Sequence, residues 1–314
     1  MKVIVAAPRG FCAGVTRAVD IVERALERWG APVYVRHEIV HNKRVVGELA
    51  AKGAVFVDEI DEVPADRPLV FSAHGISPQV RDAAAERELR TVDATCPLVT
   101  KVHAEATRFS RQGYELVYIG HAGHDEAIGT MGEAPEAMHL VETAEDVDKL
   151  DLPAGKKVAY LTQTTLGVDE TEGVIAALHR KFPDLASPTK EDICYAATNR
   201  QLAVKRMAPL CDLVLVVGSQ NSSNAHRLVE VAKANGAPGY LVDGPQDVQA
   251  SWLDGAKTVG VTGSASTSEI SVQDLIDSLQ PDSVEELGAV EENVFFNLPS
   301  ELRQRGLAAR PPSL

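Results

Sequence analysis

Seven short apolar, β-branched runs punctuate the chain: Lys2 to Ala6, Val33 to Arg36, Leu69 to Ser72, Leu116 to Ile119, Val158 to Leu161, Leu213 to Val217 and Thr258 to Val261. Between them the apolar positions recur at helical spacing. Val15, Ala18, Val19, Val22, Ala25, Leu26 and Trp29 make one stripe, with Gly30 as a stop, and Val99, Val102, Ala106 and Phe109 make another. Ala203, Met207 and Leu210 repeat the pattern more weakly. Strands alternating with helices predict a parallel α/β architecture.

Each of these three helical stretches opens just after a cysteine: Cys12, Cys96 and Cys194. A polar loop follows the next strand at nearly constant distance, carrying His41, His124 and Ser222 at 29, 28 and 28 residues beyond the respective cysteine. A second loop carries His74, Thr164 and Ser266. This register reads as an internal triplication. The chain is expected to form three α/β units, 1–96, 97–193 and 194–281, around a pseudo-threefold axis, with a tail, 282–314, packing across them. In that tail "EENVFFNLPSEL" asks for burial, and "RQRGLAARPPSL" reads as a frayed end.

Ligands of parallel sheets bind outside the carboxyl ends of the strands, so all six loops belong to a functional edge. Units that surround one axis would bring three thiols together, ringed by His41, His74, His124, Thr164, Ser222, Ser223, Asn224 and Ser266. Pro97 follows Cys96 directly, placing that thiol at a helix start, where the dipole favours a thiolate. "GSQNSSNAHRL" offers hydroxyls, an amide and backbone N–H groups suited to phosphate oxygens. Glu126 is the lone carboxylate of this ring, which suggests a proton-transfer task.

Composition narrows the classes. The 314 residues are 45% hydrophobic, and 31 Lys and Arg stand against 45 Asp and Glu for a net charge of -14, which argues against nucleic-acid binding. No stretch has the length of a membrane span, and Met1 runs straight into a strand pattern, so a cytoplasmic protein is expected. Four widely spaced cysteines do not make a disulfide scaffold; Cys211 fits a small core residue. Three equivalent cysteines leave three readings open: an iron–sulfur cluster with one iron free of protein, a zinc site completed by histidine, or inert thiols.

The motifs "PRGFCAGVTRAV", "VYVRHEIVHN", "VFSAHGIS", "DATCPLVTKVH", "TQTTL", "DICYAATNRQ", "VVGSQNSSN" and "EENVFFNLP" together resemble the 4-hydroxy-3-methylbut-2-enyl diphosphate reductase (LytB) family over nearly the whole chain. The resemblance implies a trefoil of three α/β units around a central [4Fe–4S] cluster held by Cys12, Cys96 and Cys194, its fourth iron open. It implies reductive dehydroxylation of an allylic diphosphate to isopentenyl and dimethylallyl diphosphates, the last step of the methylerythritol phosphate route to isoprenoids. His41, His74, His124, Ser222, Ser223, Asn224 and Ser266 match diphosphate-binding positions, and Thr164 and Glu126 match positions at the substrate hydroxyl. Electrons would come from ferredoxin or flavodoxin, since no dinucleotide fingerprint is present. A monomer is expected. An iron–sulfur redox sensor and a zinc-dependent hydrolase are the competing classes. Asp125 stands where the family commonly has Pro, Ile128 where a polar residue is common, and "TGSAST" departs from the usual last loop.

Overall fold

The computed structural model describes residues 1–303 except Ala154 and Ala289; the stretch from Gln304 on, read above as a frayed end, lies outside the described residues. The chain opens with β1 (Lys2–Ala6). The first unit follows: α1 (Ala13–Trp29), β2 (Val33–Arg36), α2 (Lys43–Ala51), β3 (Ala54–Val57), β4 (Pro68–Phe71), α3 (Pro78–Glu86) and β5 (Arg90–Asp93). Its sheet has the order β3-β2-β4-β5. The second unit holds α4 (Pro97–Arg111), β6 (Glu115–Ile119), α5 (Asp125–Met131), β7 (Met138–Val141), α6 (Ala144–Lys149), β8 (Val158–Thr162) and α7 (Val168–Lys181), with sheet order β7-β6-β8. The third holds α8 (Tyr195–Met207), β9 (Leu213–Val217), α9 (Ser223–Ala234), β10 (Gly239–Val242), α10 (Ala250–Leu253), β11 (Thr258–Gly263), α11 (Glu269–Ser278) and β12 (Ser283–Leu287). All pairings between these strands are parallel.

One expectation is corrected here. The first strand does not belong with the first unit: β1 lies between β11 and β12 in the third unit's sheet, whose order is β10-β9-β11-β1-β12. The cause is its composition. Val3 and Val5 pack into one core cluster and Ile4 and Ala6 into another on the opposite face, so the strand is apolar on both sides and takes an interior position. The polar β12, mostly exposed, takes the edge beside it.

The three cysteine helices cover their sheets with apolar stripes. Along α1, Val15, Ala18, Val19, Val22 and Ala25 are buried against Val33, Val35 and Val70, and Gly30 ends the helix at φ 75°, donating its N–H to Leu26 O. The units interlock through backbone bonds. Cys96 N donates to Ala73 O (3.0 Å), Cys194 N to Thr164 O (2.9 Å) and Cys12 N to Ala265 O (3.1 Å). Each acceptor lies two residues past the end of a strand, β4, β8 or β11. Every cysteine is thus strapped to the loop of the unit before it while its helix packs on the unit after it.

The tail runs from β12 back over the first unit. Glu292 accepts from Asn199 (3.0 Å) and from Arg200, Asn297 O accepts from Arg17 (2.9 Å), and Leu298 and Leu302 pack on the α1 core. Among the described residues, no helix is long and apolar enough to cross a membrane.

The Arg200 guanidinium is fully buried and its charge is met by Glu292 at 2.9 Å. Glu292→Ala leaves that cation without its carboxylate and is expected to cost about 3–5 kcal/mol of stability in urea or thermal unfolding. A loss below about 1 kcal/mol would show that the pair does not anchor the tail.

Candidate active site

The cavity where the units meet has a volume of about 790 Å³, part of it open to solvent. It is lined by Cys12, Cys96, Cys194, His41, His74, His124, Glu126, Thr164, Ser222, Ser223, Asn224 and Ser266, so every residue singled out for the site faces one space. Cys211 does not; it lies at the edge of the third unit's core. Ile128 is 55% exposed.

Six helices begin here. Cys12, Cys96 and Cys194 precede α1, α4 and α8, while Asn42, His124 and Ser222 are the N-caps of α2, α5 and α9. Their free N–H groups and positive dipole ends make the cavity receptive to negative charge. Val15 N donates to Cys12 Sγ (3.5 Å) and Ala197 N to Cys194 Sγ (3.3 Å). Burial, followed by the charge of Cys12, pushes the Cys96 thiol up to about 12 and the Cys194 thiol up as well. Removal from water outweighs the helix start.

Gly14 sits among the sulfurs. A Cβ there would lie 2.8 Å from Cys96 Sγ and 3.7 Å from Cys12 Sγ, so the space between the two thiols is kept clear by a residue without a side chain. Among the described residues, the group whose ligand atoms all fall within 4.8 Å of one another is His41, His74 and Asp125, not the three cysteines. At least one pair of cysteine sulfurs therefore stands more than 4.8 Å apart, wider than the roughly 3.8 Å between two thiolates on one tetrahedral zinc ion.

The three imidazoles converge. His41 and His74 stack at 4.0 Å between centroids, and His124 meets them edge-on at 5.3 and 5.8 Å. His124 Nδ1 accepts from Glu126 N (3.1 Å), which leaves Nε2 to carry the proton as a donor. Burial, then the charge of His41, lowers His124 to about 4; burial also drives His74 well below its usual value. Both rings are therefore neutral near pH 7. His74 Nδ1 and Asn224 Nδ2 are buried without a hydrogen-bond partner, while Asn224 Oδ1 accepts from Ala265 N (2.9 Å). Unpaired donors facing a cavity are costly unless a ligand satisfies them. The departing last loop is held by its own hydroxyls: Ser264 Oγ lies 3.2 Å from Ser266 Oγ, which donates to His41 O (3.1 Å).

Glu126 is buried beside Thr164, whose N–H and hydroxyl donate to its two oxygens at 2.6 and 2.9 Å. Burial outweighs those bonds and raises the carboxyl to about 7. It remains the carboxylate lining the cavity, yet two others support the ring and were missed as such. Asp125 bonds His37 (2.7 Å) and stands 3.8 and 3.9 Å from His74 and His41; burial would raise its pKa, but His37 and the neighbouring imidazoles hold it below the usual range. Glu38 bonds His41 (3.2 Å) and Asn221 (2.8 Å). The alternation in "RHEIVHN" could have pointed to Glu38; nothing local pointed to Asp125 as the organiser of histidines from another unit. Phe296, Leu98, Val99 and Tyr195 add an apolar wall.

A protein in which three α/β units each deliver one cysteine to a shared cavity lined by histidine, serine and asparagine side chains belongs to a narrow structural class. The profile described as LytB protein matches residues 3–280, and the chain belongs to that family. It is 56% identical over 313 residues to 4-hydroxy-3-methylbut-2-enyl diphosphate reductase of Cutibacterium acnes (strain DSM 16379 / KPA171202), covering 98% of this chain and 97% of that one. Identity to the enzyme of the same name from Azoarcus sp. (strain BH72) is 54% over 306 residues, covering 96% and 98%. The solved E-1-hydroxy-2-methyl-but-2-enyl-4-diphosphate reductase of Plasmodium falciparum superposes with a TM-score of 0.93 at 39% identity, over 96% of each chain.

A pH titration of ring ¹⁵N shifts is expected to show His124 as the Nε2–H tautomer, unprotonated until about pH 4. A midpoint near the ordinary histidine value of about 6.5 would mean that the ring is solvated and the cavity more open than described.

Proposed function

We propose that the protein reduces (E)-4-hydroxy-3-methylbut-2-enyl diphosphate to isopentenyl diphosphate and dimethylallyl diphosphate, the last step of the methylerythritol phosphate pathway. The relatives carry the name of that reductase, and a solved relative is titled the terminal enzyme of the non-mevalonate pathway. The observation that carries the reading is the meeting of three thiols, a diphosphate-sized set of donors and one buried acid in a single cavity.

The family is one of iron–sulfur enzymes, and the clear space at Gly14, with sulfurs that do not all lie within 4.8 Å of one another, supports a [4Fe–4S] cluster on Cys12, Cys96 and Cys194. When bound, that cluster supplies electrons and, at the iron without a protein ligand, Lewis acidity toward the substrate hydroxyl. The chain's own residues do the rest. His41, His74, His124, Ser222, Ser223, Asn224 and Ser266 bind the diphosphate, with the start of α9 adding backbone donors. The apolar wall of Phe296, Leu98 and Val99 accommodates the branched hydrocarbon and excludes water. Two electrons and two protons are consumed: the C–O bond breaks, oxygen leaves as water, and a C–H bond forms. Glu126 gives the proton to the departing hydroxyl, and Thr164, bonded to both of its oxygens, orients it. The second proton adds to either of two allylic carbons, which yields the two products.

The electrons arrive from a one-electron carrier such as ferredoxin or flavodoxin. The enzyme works as a monomer, three units closing on themselves within one chain, in the reducing cytoplasm where free thiols persist.

Anaerobic incubation of the iron-loaded protein with this substrate and a chemical reductant is expected to give both products by NMR; no conversion by fully loaded protein would overturn the proposal. Cys12→Ser, Cys96→Ser, Cys194→Ser and Gly14→Ala are expected to lower iron content, and Cys211→Ser to leave it unchanged. Iron retained in all four would remove the cluster from this cavity. Glu126→Gln is expected to bind substrate and lose about 100- to 10,000-fold in single-turnover rate. In the unsubstituted protein the rate should fall as pH rises through about 7, because the carboxyl must carry its proton. An unchanged rate and pH profile in Glu126→Gln would move the proton source elsewhere.

A further inference from the structure

Each cysteine-bearing helix carries a cation early in its length: Arg17 on α1, Lys101 on α4 and Arg200 on α8. Arg17 Nη1 donates to Ala94 O and Thr95 O, 3.1 Å each, and Nη2 to Asp93 O at 3.4 Å. Lys101 Nζ donates to Lys190 O, to Glu191 O (3.2 Å) and to Asp192 Oδ1 (2.6 Å), while Asp192 Oδ2 accepts from Thr162 N (3.0 Å). Arg200 Nε and Nη2 donate to Gly10 O at 3.0 and 2.6 Å. The segments held in this way run directly into Cys96, Cys194 and Cys12. The helix of the first cysteine therefore grips the approach to the second, the second grips the third, and the third grips the first.

We propose that Arg17, Lys101 and Arg200 form a closed ring of clamps that positions each cysteine of the iron–sulfur centre from the helix of the preceding one. The inference rests on the cluster assignment above. The carbonyls of Gly10, Ala94, Thr95, Lys190 and Glu191 lie outside the strands and helices, so no ladder satisfies them, and a charged donor makes the stronger bond. Side chains one to two turns into a helix lean back toward its N-terminus, which brings these cations within reach of the neighbouring approach. They are positioning residues and touch no substrate.

A general carbonyl cap would look similar, and the chain contains one: Lys181 Nζ donates to Val147 O, Asp148 O and Leu150 O at 2.7–2.8 Å, away from the cavity. Hydrogen exchange of the metal-free protein, read by mass spectrometry on peptides covering each approach, separates the two. Arg17→Met is expected to speed exchange about tenfold or more before Cys96 and to spare the approach to Cys12. Lys101→Met should do the same before Cys194, and Arg200→Met before Cys12, with Arg200→Lys read instead if the buried site does not fold. Arg17→Lys and Lys101→Arg should restore part of the protection. Lys181→Met should leave all three approaches unchanged. After reconstitution, the clamp variants should release iron to a chelator faster than the parent or Lys181→Met. Loosening of the helix's own cysteine, equal loosening of all three, or no loosening would each overturn the clamp. A parent protein that takes up no iron would instead refute the cluster, and the exchange pattern would still be read independently.

Discussion

Three backbone hydrogen bonds, from the N–H groups of Cys12, Cys96 and Cys194 to carbonyls at the ends of β11, β4 and β8, hold the molecule's geometry together. Each bond ties a cysteine to one unit while the helix it opens covers the next. The thiols are therefore placed by the joints between units, not within any unit. A shift of one sheet against another would move a sulfur, and the requirement that three sulfurs face one cavity fixes the mutual setting of all three sheets. The exchange of β1 into the third sheet follows the same logic, because it carries the chain into the Cys12 loop from the unit that supplies its acceptor.

The cavity built at these joints holds its ionisable groups mostly neutral. Burial moves Cys96 to about 12, Glu126 to about 7 and His124 to about 4, each toward its uncharged form. A chain with a net charge of -14 thus presents a central site poor in charge, lined with helix starts and unpaired donors. Metal, diphosphate and protons would each find a complementary group already in position, so little reorganisation is needed when they enter. Asp125 is the exception: despite its burial, the bond to His37 holds its pKa below the usual carboxylate range.

What the sequence revealed divides along physical lines. Interior strands such as Leu213–Val217 are apolar throughout and were readable to the residue, whereas β3, β5, β7, β10 and β12, each at a sheet edge, were not expected. Most edge strands here are only four residues long, so their pattern carries little signal; β8, the edge strand that was expected, is longer and largely apolar. The cysteine, histidine and serine positions were legible because the triplication repeats them at fixed intervals. Support from Asp125, Glu38 and Gly14 depends on contacts between units, which periodicity does not encode. The rise of the Cys96 thiol was not legible either, because burial, invisible in a linear pattern, outweighs the dipole.

The central claim is that the three joints bring Cys12, Cys96 and Cys194 to one multi-iron centre that looks directly onto the diphosphate site. Mössbauer spectroscopy of anaerobically prepared, ⁵⁷Fe-loaded protein tests it most directly. The account predicts one iron in four that changes its signal when the allylic diphosphate is added, and the same change in Glu126→Gln, which is expected to bind but to turn over far more slowly. Iron absent from the protein, or four irons indifferent to the substrate, would contradict it.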